Sequence, residues 1–185
     1  MKFIDKALRR WRVGVALRAM PNLVESVFDI GCDDGYLLRK IKGEDLRLDG
    51  CDPRLSIKFV SSNSRLLQGF FPSVLDESKG WGKYDTIFAL SVFEHFTEGD
   101  LKKTSQKISE LLTDKGRLIV TVPHPFVDKI LDSLMLLKLI DGQAVEEHHG
   151  FDPESLVSML SSHLQLKFRK KFQLGLNNLF VFEKH

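Results

Sequence analysis

The stretch Val27-Phe28-Asp29-Ile30-Gly31-Cys32-Asp33-Asp34-Gly35-Tyr36 constrains this chain more than any other. Its first half is apolar and closes on an acid and a glycine, and its second half opens an amphipathic pattern through Leu37, Leu38 and Ile41. The change of period reads as strand, tight turn and helix, the helix running to about Lys42. Gly31 and Gly35 can take a positive φ and admit a ligand to the backbone, and the N–H groups opening a helix offer donors. A dinucleotide-binding turn needs G-x-G-x-x-G, and that register puts Asp33 and Tyr36 where the second and third glycines belong. The motif present is G-x-D-x-G. Alone, it reads equally as a ligand turn or as a plain turn between strand and helix.

At 185 residues, with 43% hydrophobic and 28% charged side chains, the chain fits one globular domain, 1–185. No apolar run reaches the roughly 18 to 20 residues of a membrane span, and the start lacks a signal-peptide pattern. Two cysteines, Cys32 and Cys51, make neither a disulfide framework nor a metal site, which implies a reducing cytoplasm. A net charge of +2 gives no argument for nucleic acid.

Ile4, Leu8, Trp11 and Val15 recur at helical spacing among Lys6, Arg9, Arg10, Arg12 and Arg18, so 4–19 reads as a basic amphipathic helix stopped by Pro21. Such a helix serves as a solvated outer face, as an arm over a ligand, or as a weak membrane-surface or RNA contact. Residues 46–53 alternate into a second strand ending on Asp52, which follows Gly35 by 17 positions. An acid so placed can accept from both hydroxyls of a ribose; Asp52-Pro53 also suits a turn start. Residues 64–69 read as a third strand leading to Phe70, either core or an apolar ligand contact.

Tyr84 to Ser91 is a continuous apolar run, as in a parallel strand buried on both faces, and it ends at Leu90-Ser91 before Val92-Phe93-Glu94-His95-Phe96. A helix over 98–112, closed by 113–116, precedes a fifth strand over 117–123. Residues 124–150 are irregular and suit a substrate-side insertion, with 126–140 as one apolar helix. His148 and His149 lack the i, i+4 spacing of a metal pair, so no metal site is expected. Asp152-Pro153-Glu154 opens another helix. Leu164, Leu166, Phe168, Phe172 and Leu174 alternate with polar residues before Leu179-Phe180-Val181-Phe182, which reads as a closing hairpin.

Asp29 to Gly35 resembles the E/D-x-G-x-G-x-G first motif of the class I S-adenosylmethionine-dependent methyltransferases, with Asp33 at the middle glycine. Val92 to Phe96 is similar to the V-x-E-H-[LF] fourth motif of their small-molecule and glycan-type members. Leu111 to Pro123 resembles the family's link from fourth helix to fifth strand. The resemblance spans about 5–184. It implies a Rossmann-like seven-stranded α/β sheet, mostly parallel with a C-terminal antiparallel hairpin and helices on both faces. It implies S-adenosyl-L-methionine as cofactor, held by Asp29, Gly31, Cys32, Gly35, Asp52, Pro53, Phe70, Leu90 and Ser91. At Phe70 the family commonly carries an aspartate that bonds the adenine amino group. Nucleobase enzymes carry Asn or Asp before Pro-Pro-Tyr, or Pro-Cys, at the fourth motif, and neither is present. The implied acceptor is therefore a small molecule or a lipid- or sugar-linked intermediate rather than nucleic acid, with His95 and His124 as candidate bases. A cofactor-binding subunit without catalysis and an RNA or protein methyltransferase are the rival readings.

Overall fold

The computed structural model describes residues 3–43, 45–58, 60–76, 81–124 and 152–185. Strands β1 (Ser26–Ile30), β2 (Arg47–Asp52), β3 (Leu66–Gln68), β4 (Tyr84–Leu90), β5 (Leu112–Pro123), β6 (Leu164–Phe172) and β7 (Asn177–Lys184) form one sheet in the order β3-β2-β1-β4-β5-β7-β6. The first five are parallel, and β7 runs antiparallel to both β5 and β6. This is the sheet that the resemblance implies.

The central strands are buried on both sides, and the period of two sorts their side chains. Phe28, Ile87, Ala89, Leu118, Val120, Phe180 and Phe182 face one core. Helices α2 (Ser73–Asp76), α3 (Glu98–Leu111) and α4 (Pro153–Leu160) cover that side, through side chains such as Val74, Leu101, Ile108 and Leu156. Val27, Phe88, Ile119, Leu179 and Val181 face a second core with α1 (Phe3–Leu17), which contributes Val13, Val15 and Ala16. The buried stripe of α1 leaves Trp11 47% exposed, contrary to the pattern read from sequence. Local chemistry sets the helix starts. Thr97 caps α3 reciprocally with Asp100, and Asp152 caps α4 ahead of Pro153.

Four expectations need correction. The helix after the glycine turn is only a 3-10 turn, Leu38–Lys40, ended by extended Ile41. The return path explains it: five residues of β1 span roughly 17 Å, whereas seven helical residues rise only about 10 Å, so extended chain must make up the distance. Strand β5 begins at Leu112, directly after α3, and the register slips between Tyr84 and Thr86 to absorb 113–116. Gly116 passes so near β4 that a Cβ there would lie 2.8 Å from the Tyr84 carbonyl oxygen. In β6 a bulge between Leu166 and Phe168 reverses the facing, so Leu164 packs in the first core and Phe172 in the second. Leu174 lies in the hairpin turn, 93% exposed, rather than on the apolar side. The expected helix over 126–140 and the pair His148 and His149 lie outside the described residues.

Asp49 is buried on β2 and accepts from the Tyr84 hydroxyl at 2.7 Å and from the Arg65 N–H at 2.8 Å. It thus ties β2 to β4 and to the entry of β3. Tyr84→Phe removes the hydrogen bond to Oδ2 and leaves that oxygen only the Arg47 guanidinium at 3.6 Å, and should cost about 1 to 3 kcal/mol. Urea unfolding at neutral pH checks this; an unchanged midpoint means that the bond contributes nothing.

Candidate active site at the carboxyl edge of the sheet

The glycine turn leaves β1 at the carboxyl edge and bends through three left-handed residues, Gly31 (φ +79), Asp33 (φ +44) and Gly35 (φ +67). Asp33 thus adopts a conformation usual for glycine, and aspartate is one of the few other residues that tolerate it. A Cβ on Gly31 would lie 2.4 Å from Val92 Cγ2, and one on Gly35 would lie 2.5 Å from Ile57 Cδ1. Both glycines therefore permit close packing as well as the bend.

Asp52 ends β2 and organises the turn. Its carboxylate accepts from the Asp33 N–H at 3.0 Å and from the Arg54 N–H at 2.6 Å. Its carbonyl accepts from the Gly69 N–H at 3.1 Å, which ties in the end of β3. A carboxylate offers about four acceptor positions, so two remain for a ligand such as a ribose diol. Pro53 follows in the turn that starts there.

The turn supplies fewer donors than its sequence suggests. The Gly31 and Cys32 N–H groups donate to the Cys51 carbonyl, Gly35 N–H to the Cys32 carbonyl, and Tyr36 N–H to Asp34 Oδ1. With only a 3-10 turn following, the site is not an anion-binding helix start. Cys32 is buried, and burial pushes its thiol above the ordinary range, so its side chain packs rather than reacts.

The edge is acidic. Asp29 is buried, and its pKa rises from 3.8 to about 8, first through loss of water and then through the neighbouring charge of Asp52, while Arg9 opposes the rise. Helix α1 lies over this edge. Arg9 forms a two-pronged ion pair with Asp34 and stacks on Tyr36, 4.4 Å from the ring centre. Burial alone raises the Asp34 pKa, but Arg9 and the Tyr36 N–H bring it below the usual carboxylate range. Gln173 Nε2 donates to the Leu8 carbonyl at 2.8 Å and fixes the helix from the hairpin side. Lys6, Arg10 and Arg18 remain exposed. Among the readings of this helix, Arg9 favours the arm over a ligand.

The remaining candidates divide. Leu90 and Ser91 close β4, and Ser91 holds φ +57 with its N–H bonded to the Thr121 carbonyl at 2.8 Å. His124 follows β5, half-buried, its N–H on the Leu176 carbonyl. Phe70 is 72% exposed, which rules out the core reading. It lines a groove of about 770 Å³ between α2 and α3 with His95, Phe96, Asp100 and Lys107. His95 lines that groove, whereas Gly31, Asp52 and Ser91 do not. The sequence reading missed Arg9, Arg12 and Glu94. The fourth motif flagged Glu94 by position but gave it no role.

Nodes of this edge fit S-adenosylmethionine: a turn whose bends at Gly31 and Gly35 carry no side chain, unused acceptor positions on Asp52, and a buried Ser91 hydroxyl lacking a partner. With the Asp52 carboxylate at this edge and most of the turn's N–H groups engaged, the edge suits a sulfonium and a diol better than a pyrophosphate. Asp29, Gly31, Gly35, Asp52, Leu90 and Ser91 would hold the cofactor, which supplies an activated methyl group. Among the described residues, no helix is long and apolar enough to cross a membrane.

Comparison with known proteins agrees with the sheet. A methyltransferase domain family model matches residues 3–163. The solved N-methyltransferase NodS from Bradyrhizobium japonicum superposes with a TM-score of 0.69 at 14% identity, covering 97% of this chain and 98% of that one. The PH0226 protein from Pyrococcus horikoshii gives 0.73 at 13% identity, covering 98% and 92%. The mitomycin 7-O-methyltransferase MmcR gives 0.66 at 16% identity, covering 95% and 53%. No curated protein matches in sequence. With the family model matched over most of its length and the sheet order in place, the chain belongs to the methyltransferase domain family and is a class I S-adenosylmethionine-dependent methyltransferase.

Proposed function

We propose that the protein transfers the methyl group to a hydroxyl of a small molecule or of a lipid- or sugar-linked intermediate, as a Glu-His type member acting through one domain, 1–185. The segment Ser91-Val92-Phe93-Glu94-His95 carries this reading, because it stands where a nucleobase enzyme needs a Pro-Pro-aromatic clamp. The solved neighbours include an N- and an O-methyltransferase, so fold does not choose between amine and hydroxyl.

Chemistry favours a site able to take a proton. Methyl transfer needs the nucleophile held about 3 to 3.5 Å from the methyl carbon, and a hydroxyl must also shed its proton. Of the two histidines offered by the sequence, His124 lies at the carboxyl edge and His95 in the outer groove. The binding elements thus support positioning first and leave the proton acceptor to a group beside β4 or β5.

Incubation with isotopically labelled S-adenosylmethionine and panels of alcohols, phenols, amines and oligonucleotides tests the reading by mass spectrometry. Labelled methyl ethers support it. Label confined to amines or nucleobases overturns it.

A further inference from the structure

Helix α1 has an outer face that the cofactor edge does not use. Its inner stripe, Val13, Val15 and Ala16, packs in the second core, and Arg9 reaches the glycine turn. Lys6, Arg10 and Trp11 lie off that stripe and are exposed. The hairpin of β6 and β7 stands beside this helix. Gln173 Nε2 donates to the Leu8 carbonyl at 2.8 Å, and Phe172 packs in the same core as Val13. Phe168 and Lys170 share the α1 side of β6, because they pair with Val181 and Leu179, whose side chains fill that core. Phe168 is 41% exposed, Lys170 is exposed, and Leu174 in the adjoining turn is almost wholly so.

Helix and hairpin thus present one surface on which three large apolar side chains, Trp11, Phe168 and Leu174, alternate with three cations, Lys6, Arg10 and Lys170. Among the described residues none of these cations forms an ion pair, whereas Arg169 on the opposite side of β6 is held by Glu154. Strand β6 contains no acidic residue, and α1 contains only Asp5. Single exposed apolar side chains are ordinary on a protein surface. A group of them rimmed by uncompensated charge of one sign marks a surface with a partner.

We propose that this face docks on a bilayer containing anionic phospholipid: Trp11 sits at the headgroup level, Phe168 and Leu174 enter the acyl boundary, and Lys6, Arg10 and Lys170 meet lipid phosphates. The occupant follows from the mixture of side chains. A nucleic-acid backbone would use the cations and could stack a base on Trp11, but it offers Leu174 no apolar cover. Free phosphate would use no apolar side chain at all. A bilayer uses both kinds, since long cationic stems keep their charge among the phosphates while their apolar neighbours go deeper. Docking leaves α1 in place, so the ion pair of Arg9 with Asp34 is undisturbed and the carboxyl edge comes to the lipid surface with it. The assignment goes beyond the acceptor reading above and does not depend on it.

Flotation of the full chain with vesicles tests it, using equal parts phosphatidylglycerol and phosphatidylcholine in one set and phosphatidylcholine alone in the other. The expected result is binding to the anionic vesicles, at least about tenfold weaker partition onto the neutral ones, and weakening with added salt. Arg10→Gln combined with Lys170→Gln should lower partition about 30-fold, the scale for two cations at an anionic surface. Leu174→Ser should lower it about tenfold, as for an apolar side chain no longer buried. Lys115→Gln, an exposed cation where β5 begins, should leave it unchanged. Retained affinity for S-adenosylhomocysteine shows that each variant is folded. Equal binding to both kinds of vesicle, binding to neither, full partition of Leu174→Ser, or tighter binding of an oligoribonucleotide than of the anionic vesicles overturns the assignment. Methyl ethers formed by a protein that ignores vesicles would leave the proposed function standing, and label confined to amines would leave the docking surface standing.

Discussion

At pH 8 to 9, Asp29→Asn is expected to be more stable than the wild-type protein by a few kcal/mol, while near pH 4 the two should differ little. Asp29 is buried beside Asp52 and holds its proton up to about pH 8, against an ordinary value of 3.8. A folded-state pKa raised above the unfolded one contributes stability that is full below the unfolded value. That contribution is lost as pH rises through the folded value. Each tenfold difference in proton affinity is worth about 1.4 kcal/mol, which sets the order of magnitude. Glu94, raised to about 7, acts in the same direction between about pH 4.5 and 7. Wild-type stability should therefore decline from pH 4 to 8, and asparagine, which has no proton to lose, should flatten most of that slope. Urea unfolding of the ligand-free protein at several pH values measures it. Parallel curves for the two proteins would show that Asp29 ionises normally.

Asp52→Ala should weaken binding of S-adenosylhomocysteine by about 2 kcal/mol, roughly 30-fold, the scale of a lost charge-assisted hydrogen bond. The effect has two sources. The carboxylate offers acceptor positions to a ribose diol, and it also fixes the turn through the Asp33 and Arg54 N–H groups. Asp52→Asn separates them, because an amide keeps one acceptor oxygen but loses the charge. Calorimetry on both variants is the check, and unchanged affinity in the alanine variant removes Asp52 from the site.

Sequence patterning revealed the sheet where burial is two-sided. Strands β1, β4 and β5 read directly because both faces must be apolar, and the closing hairpin read from its alternation. Patterning could not reveal register. The bulge beside Lys167 leaves the alternation of β6 intact along the sequence while moving Phe172 to the opposite core. The 3-10 turn after Tyr36 is set by the distance the chain must cover, which no local pattern encodes. Asp33 looked like a departure from the glycine motif, yet its φ of +44 shows the backbone shape preserved with a different side chain. Arg9 with Asp34 is a contact between distant stretches, so only tertiary packing reveals that the basic helix faces the site.

The central claim is that this edge binds S-adenosylmethionine and not a dinucleotide. Tyr36 stands at the third-glycine position under the guanidinium of Arg9, the turn's N–H groups are engaged, and Asp52 would face a pyrophosphate with like charge. Thermal unfolding of the wild-type protein with S-adenosylhomocysteine and with NAD at equal concentration tests it directly, since a ligand that binds only the folded state raises the midpoint. The account predicts a clear rise with S-adenosylhomocysteine and little or none with NAD; a larger rise with NAD would contradict it.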